Sequence, residues 1–278
     1  MLKLPVPIPG IPVLDIHTRT STRMAQINGL ITEAPHTPSS GAVASGHADH
    51  ALYNDAYYQG LHGEHWFRNN RAKMALRWQE ILRMVAPQPE DVIVDLGCAV
   101  GTYTRKISPL CGKVIGVDFS EAAIRQASRA DPAMHPNVHF HVGEVTNLPF
   151  LADNSVDKAM AIDLVEHLDN ETLDGMVREV RRVLKPGGSL AIYTPCRTHY
   201  VERLKAHHCL LRQLPGHIAV RRPEEYLKLF SRPGWRVEQL YYSPSAYPVL
   251  RWLDRLLPGF PGVGSFFRFR ICLVARTG

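Results

Sequence analysis

Two acids and a small-residue turn give the first indication of what this chain binds. Val92–Thr104 reads Val-Ile-Val-Asp-Leu-Gly-Cys-Ala-Val-Gly-Thr-Tyr-Thr, and a second apolar run, Lys113–Val117, ends in Asp118. A β-branched strand that delivers its chain into a glycine turn lets a ligand lie against bare backbone. An acid at the tip of the next strand can grip the two hydroxyls of a ribose. Together these residues describe a nucleoside site. A third cluster, Asp163-Leu164-Val165-Glu166-His167, follows a later apolar run, and its two acids and imidazole can converge if the loop turns there.

Positioning such groups requires strands that end side by side. Apolar strand candidates are Val92–Asp95, Lys113–Val117, Val138–Val142, Val156–Ile162 and Ser189–Thr194, with Trp235–Tyr241 and Phe266–Ala275 as a sixth and a seventh. Helical patterns lie between them. Trp78, Ile81, Leu82 and Val85 share one face of a helix starting near Asn69. Leu173, Met176, Val177, Val180, Val183 and Leu184 form an apolar stripe over Asn170–Leu184, which Lys185-Pro186-Gly187-Gly188 should stop with a left-handed turn. Alternation of this kind predicts an α/β fold: a Rossmann-like, seven-stranded, mostly parallel sheet with helices on both faces and the last strand antiparallel. Right-handed crossovers place the ligand at the carboxyl ends of the strands.

Composition narrows the class. With 278 residues, 45% hydrophobic and 21% charged, the chain can bury a sizeable core. It has no run of 18 apolar residues that could span a membrane. Met1–Leu14 is apolar, but Pro5, Pro7, Pro9 and Pro12 break it as a helical signal segment. Five scattered cysteines without a Cys-x-x-Cys pair suggest reduced thiols and a cytoplasmic location. A net charge of +6 is too weak to argue for nucleic acid. Residues 1–50 read as a flexible tail. Residues 51–278 read as one domain, with substrate-side insertions at 196–232 and 243–265.

Four segments in this order resemble class I S-adenosylmethionine-dependent methyltransferases of the small-molecule type. They are Val94–Gly101, Gly116–Ser120, Gly143-Glu144 with Leu148-Pro149-Phe150, and Val183–Gly188. The resemblance covers roughly 66–275 and implies S-adenosyl-L-methionine as cofactor. It places Asp95 beside the methionine amino group, Gly97 and Gly101 where backbone must approach the cofactor, and Asp118 on the ribose hydroxyls. Phe119 would pack on adenine, and Glu144 and Val145 would read it. Two departures stand out. Ala99 replaces the middle glycine, which costs little if φ is negative and crowds the turn if φ is positive. Glu144 stands where the family usually has Asp.

Methyl transfer needs a held nucleophile and sometimes a base. Asp163, Glu166 and His167 resemble the acid-x-x-Glu-His segment of ubiquinone-biosynthesis O-methyltransferases, which implies a divalent cation held against a catechol. An oxygen-rich set suits Mg²⁺ or Mn²⁺ rather than structural zinc. His167 and Glu166 could equally act without metal, and Asp163 could contact the cofactor. The same resemblance implies an arginine on the cofactor carboxylate, for which Arg71 is the first candidate and Arg68 the second. His217, in a Gly-His pair before Arg221, is a further base candidate. Tyr57 and Tyr58 could form a lid or simply pack.

The expected reaction is methylation of a small aromatic or lipophilic metabolite, with oxygen favoured as acceptor. The alternatives are N- or C-methylation of a sugar or natural-product scaffold without metal, or a non-catalytic cofactor-binding module. No base-flipping segment follows the fourth strand, so a nucleic-acid partner is not expected. Tyr247–Phe267, rich in Leu, Pro, Trp and Phe with Arg251 and Arg255, could rest on an anionic membrane, cap an apolar pocket or form a homodimer face.

Overall fold

The computed structural model describes residues 53–54, 56–58, 70–129, 132–206 and 216–278, all within the second of two units, Ser45–Gly278. The expected tail over residues 1–50 and the candidate Arg68 lie outside the described residues.

The elements run α1 (Arg71–Val85), β1 (Val92–Leu96), α2 (Thr102–Ile107), β2 (Lys113–Asp118), α3 (Glu121–Ala127), β3 (Val138–Val142) and β4 (Val156–Ile162). After a 3₁₀ turn at Val165–His167 come α4 (Asn170–Val183), β5 (Leu184–Pro195), α5 (Tyr200–Ala206), α6 (Pro223–Phe230), β6 (Trp235–Ser243), α7 (Pro248–Leu256) and β7 (Arg270–Thr277). The seven strands form one sheet in the order β3-β2-β1-β4-β5-β7-β6. The pairs among β1 to β5 are parallel, and β7 runs antiparallel to both neighbours. The fold expected from the alternation is therefore present. The strand order reverses between β1 and β4, the place where open α/β sheets leave a crevice for ligand.

Side-chain parity builds the two faces. In β1, Val94 and Leu96 join a core with Met176 and Val180 of α4 and Tyr226 and Phe230 of α6. Ile93 faces the other way, into a core with Ile81, Met84 and Val85 of α1. Each such buried side chain contributes about 1.5–3 kcal/mol. Asp95 shares the parity of Ile93, so the strand that anchors the core also carries an acid to its carboxyl end.

Two local expectations are corrected. α4 begins as its sequence suggests, with the Asp169 carboxylate accepting from the Thr172 N–H at 2.7 Å. Its end differs. The chain passes directly from Val183 into β5, and Lys185–Gly188 lies inside that strand rather than in a terminating turn. Gly187, at φ +76°, takes the left-handed step there, near the register shift between Val156 and Lys158. The last strand also starts later than expected. Gly264–Phe267 forms a 3₁₀ turn, and β7 begins at Arg270.

Candidate active site

The carboxyl ends of β1, β2 and β4 open into a cavity of about 1250 Å³. That exceeds the ~300–1,000 Å³ of ordinary small-molecule pockets and leaves room for two reactants. Asp95, Gly97, Ala99, Asp118, Phe119, Glu144, Val145, Asp163, Glu166, His167 and His217 all line it.

The floor is the turn after β1. Gly97, Ala99 and Gly101 all have positive φ, at 66°, 48° and 73°. A Cβ on Gly97 would lie 2.6 Å from the Leu164 side chain, so a glycine is required there. Ala99 adopts the crowded alternative, a left-handed conformation that costs a non-glycine residue about 1–2 kcal/mol. What holds it is an interaction: the Ala99 N–H donates to one Asp118 oxygen at 2.9 Å, and the Ser120 N–H donates to the other at 2.9 Å. The two backbone donors aim Asp118 across the turn and leave further lone pairs for hydroxyl donors. Gly101 does not reach the cavity wall. It caps α2, where an added Cβ would strike the Phe140 ring.

Asp95 is 3% exposed and accepts a hydrogen bond from Thr104 Oγ1 at 2.6 Å. No cation of the described residues pairs with it. Burial therefore pushes its carboxyl up to about 7, against the Thr104 hydrogen bond. A buried acid with no cation beside it among the described residues suits a cationic amine, as the resemblance requires.

Two arginines change the expected role of Asp163. Its oxygens lie 2.5 Å from Arg77 of α1 and 2.5 Å from Arg270 of β7, and Arg77 and Arg270 hold its carboxyl down at about 2 despite burial. It sits at φ +51°, a strained conformation that this double ion pair maintains. Asp163 is therefore a charge partner for arginine and no longer belongs in a metal set with Glu166 and His167. Arg71 is corrected too. It stands exposed at the first turn of α1, outside the cavity wall. Lys73 and Arg77, four residues apart and on one helix face, take the inward positions. Burial, followed by Arg270 and Arg77, pulls Lys73 down to about 8.

Beyond them lies a histidine pair. The His167 and His217 rings meet edge to face with centroids 4.8 Å apart. His167 Nδ1 lies 2.8 Å from the Gly216 carbonyl, which can only accept, so Nδ1 carries the proton and Nε2 is left as the lone-pair nitrogen. Tyr53 Oη packs 2.9 Å from the same Nδ1. Burial lowers the His167 pKa and keeps the ring neutral. His217 is driven down to about 3 by burial and by His167, and its Nδ1 is buried without a hydrogen-bond partner among the described residues.

Glu166 is fully buried. Thr194 Oγ1 donates to its Oε2 at 3.0 Å, while Oε1 has no hydrogen bond among the described residues and lies 4.0 Å from Arg270. Burial first and Asp163 second push its carboxyl up to about 8. Donor atoms of Glu166, His167 and His217 all lie within 4.8 Å of one another. Two imidazoles and a carboxylate form a more nitrogen-rich set than the Asp-Glu-His trio expected, and suit Mn²⁺, iron or zinc better than Mg²⁺.

Several further residues position this cluster. Gly216, at φ +87°, leaves no room for a Cβ beside Tyr53 and His167. Arg221, 4% exposed, donates at 2.7 Å to the carbonyls of Val165 and Leu168, and so braces the 3₁₀ turn that carries Glu166 and His167. The Ala219 N–H donates to the Glu166 carbonyl at 3.0 Å. Tyr53, Tyr57 and Tyr58 wall the cavity from the amino-terminal side, and the Tyr53 carbonyl accepts from Ser120 Oγ at 2.8 Å.

The open α/β sheet, with its strand-order reversal between β1 and β4 and a cavity at the carboxyl ends, has the architecture on which nucleoside sites are built. Residues 93–188 match the methyltransferase domain family. The chain is 36% identical over 116 residues to a demethylmenaquinone methyltransferase of Corynebacterium kroppenstedtii, a match covering 41% of this chain and 47% of that protein. It is 33% identical over 109 residues to a sterol 24-C-methyltransferase of Gibberella zeae, covering 38% of this chain and 28% of that protein. A solved phosphoethanolamine N-methyltransferase of Haemonchus contortus, in complex with phosphoethanolamine and S-adenosylhomocysteine, shares the fold at a TM-score of 0.55 and 15% identity. That likeness covers 84% of this chain and 46% of the other. The chain thus spans less than half the length of these relatives.

Proposed function

We propose that this chain transfers a methyl group from S-adenosylmethionine to a small aromatic or lipophilic metabolite, with His167 as the base that frees an acceptor hydroxyl. One observation carries the reading. The neutral His167, its Nδ1–H facing the Gly216 carbonyl and its Nε2 without a hydrogen-bond partner among the described residues, shares a cavity with the glycine turn, Asp95 and Asp118. When bound, the cofactor supplies a methyl on a positively charged sulfur, already a good leaving centre. Asp95 and Asp118 hold its two ends, Lys73 and Arg77 face its carboxylate, and Phe119, Glu144 and Val145 surround its base. His167 Nε2 takes the acceptor's proton as the new bond to carbon forms. Enclosure by Tyr53, Tyr57 and Tyr58 limits competing water.

Glu166, protonated at neutral pH, serves as a donor or spacer rather than a base in this scheme. Sterol, quinone and phosphoethanolamine relatives support a small-molecule acceptor, and their spread of acceptors keeps carbon and nitrogen in play. A second reading rests on the unpaired, buried Glu166 Oε1 and His217 Nδ1. With His167 they would hold a divalent cation, which would favour ionisation of a bound phenol.

Incubation of the chain with metabolite extracts and an isotopically labelled methyl donor, read by mass spectrometry, tests the proposal. The expected product is a labelled ether whose formation survives chelation and falls about 10²–10⁴-fold in His167→Asn. Products labelled only on carbon or nitrogen would overturn oxygen as acceptor. Loss of turnover on chelation, restored by Mn²⁺, would favour the metal reading.

A further inference from the structure

The lobe between β6 and β7 is folded with its charge pattern reversed. α7 turns Leu250, Leu253 and Asp254 inward, at i, i+3 and i+4, and Trp252, Arg255 and Leu256 toward solvent, with Arg251 half-buried at the edge between the two faces. Its single acid is the buried member. Asp254 is 3% exposed, lies 3.2 Å from His199 Nε2, and accepts from the Ser245 N–H at 2.9 Å. Its indole is on the outside: Trp252 is 63% exposed, and Tyr247, Leu256, Phe260 and Val263 are at least half exposed around it. Between residues 244 and 269 the charged side chains that are not fully buried are all arginines, the exposed Arg255 and the half-buried Arg251 and Arg268. A fourth, Arg203 of α5, lies over the Phe266 ring at 4.7 Å.

A second feature of the same lobe points to hydrocarbon. Tyr200, Leu250, Leu253, Val263, Phe266 and Phe267 line a cleft of about 430 Å³, separate from the active-site cavity. Val263 belongs both to this cleft and to the exposed patch. A water-facing patch of Trp, Tyr, Phe and Leu with only cations at its edge gains nothing from solvent. It matches the boundary of an anionic bilayer, where aromatic rings sit at headgroup depth and guanidiniums meet phosphates.

We propose that α7 and the loop to Gly264 dock this chain on anionic membrane surfaces, with the cleft receiving a stretch of acyl chain. The proposal stands apart from the choice of acceptor atom. Sedimentation of the full chain with vesicles of phosphatidylcholine alone, or mixed with phosphatidylglycerol, tests it. Binding is expected to the mixed vesicles, about tenfold weaker to the neutral ones, and weakened by raised salt. Trp252→Ser with Phe260→Ser, and separately Arg251→Glu with Arg255→Glu, should each lower binding about tenfold, while affinity for S-adenosylhomocysteine stays unchanged as a check on folding. Absence of vesicle binding by the full chain would overturn the proposal. So would binding that both variants retain. Concentration-dependent dimerisation that Trp252→Ser abolishes, without vesicle binding, would instead assign the patch to a second copy.

Discussion

Asp95 is where burial becomes chemistry. Burial pushes its carboxyl up to about 7, into the range where pH governs its charge. A cationic amine pairs only with the ionised form, so affinity for S-adenosylhomocysteine should rise as pH climbs through about 7 and level off above it. Calorimetry between pH 5.5 and 8.5 checks this, and Asp95→Asn should flatten the dependence and weaken binding. Ala99 gives a second prediction at this scale. Its left-handed φ tolerates glycine and resists a branched residue. Ala99→Gly should leave the melting temperature nearly unchanged, whereas Ala99→Val should destabilise by about 1–3 kcal/mol. Residues of this kind were readable in the sequence because strand, turn and acid follow one another along the chain. Asp163 was not. The arginines that claim it come from α1 and β7, the latter 107 residues away, and no local pattern records that meeting. The outward turn of Arg71 is illegible for a related reason: a run of cations at a helix start does not say which faces inward until the core fixes the helix rotation.

At the scale of elements, a short strap does most of the positioning. Residues 216–221 present Gly216 to His167, Ala219 to the Glu166 carbonyl, and Arg221 to two carbonyls of the same turn. Arg221→Met keeps the bulk and removes the donors, leaving buried carbonyls unpaired. It should cost about 1–3 kcal/mol per lost partner, measured by urea denaturation, and lower kcat more than it alters the cofactor's Kd. Gly216→Ala should reduce kcat similarly, through displacement of His167. The strands, α4 and their parallel order were legible because period and β-branching are local properties. The exit from α4 is not legible because Lys185-Pro186-Gly187-Gly188 has the composition of a terminating turn, while pairing of Leu184 with Val156 draws the chain straight into β5.

For the whole molecule, a reversal in strand order sets a cavity at the carboxyl ends, and charge is sorted around it. Acids sit at the tips of β1, β2 and β4, cations come from α1 and β7, and neutral histidines lie beyond. The lobe between β6 and β7 then faces outward with aromatics and arginines. Binding should stabilise the domain as a unit. S-adenosylhomocysteine at 100 times its Kd adds about 2.7 kcal/mol, which should raise the melting temperature by about 5–10 °C. The central claim, that this cavity is built for the methyl donor, is tested most directly by calorimetric titration of S-adenosylhomocysteine into the wild-type chain and into Asp118→Ala. A one-to-one isotherm with Kd on the order of micromolar, weakened at least about tenfold by the substitution, is the predicted result. No binding by a folded wild-type chain, or equal binding by Asp118→Ala, would contradict it.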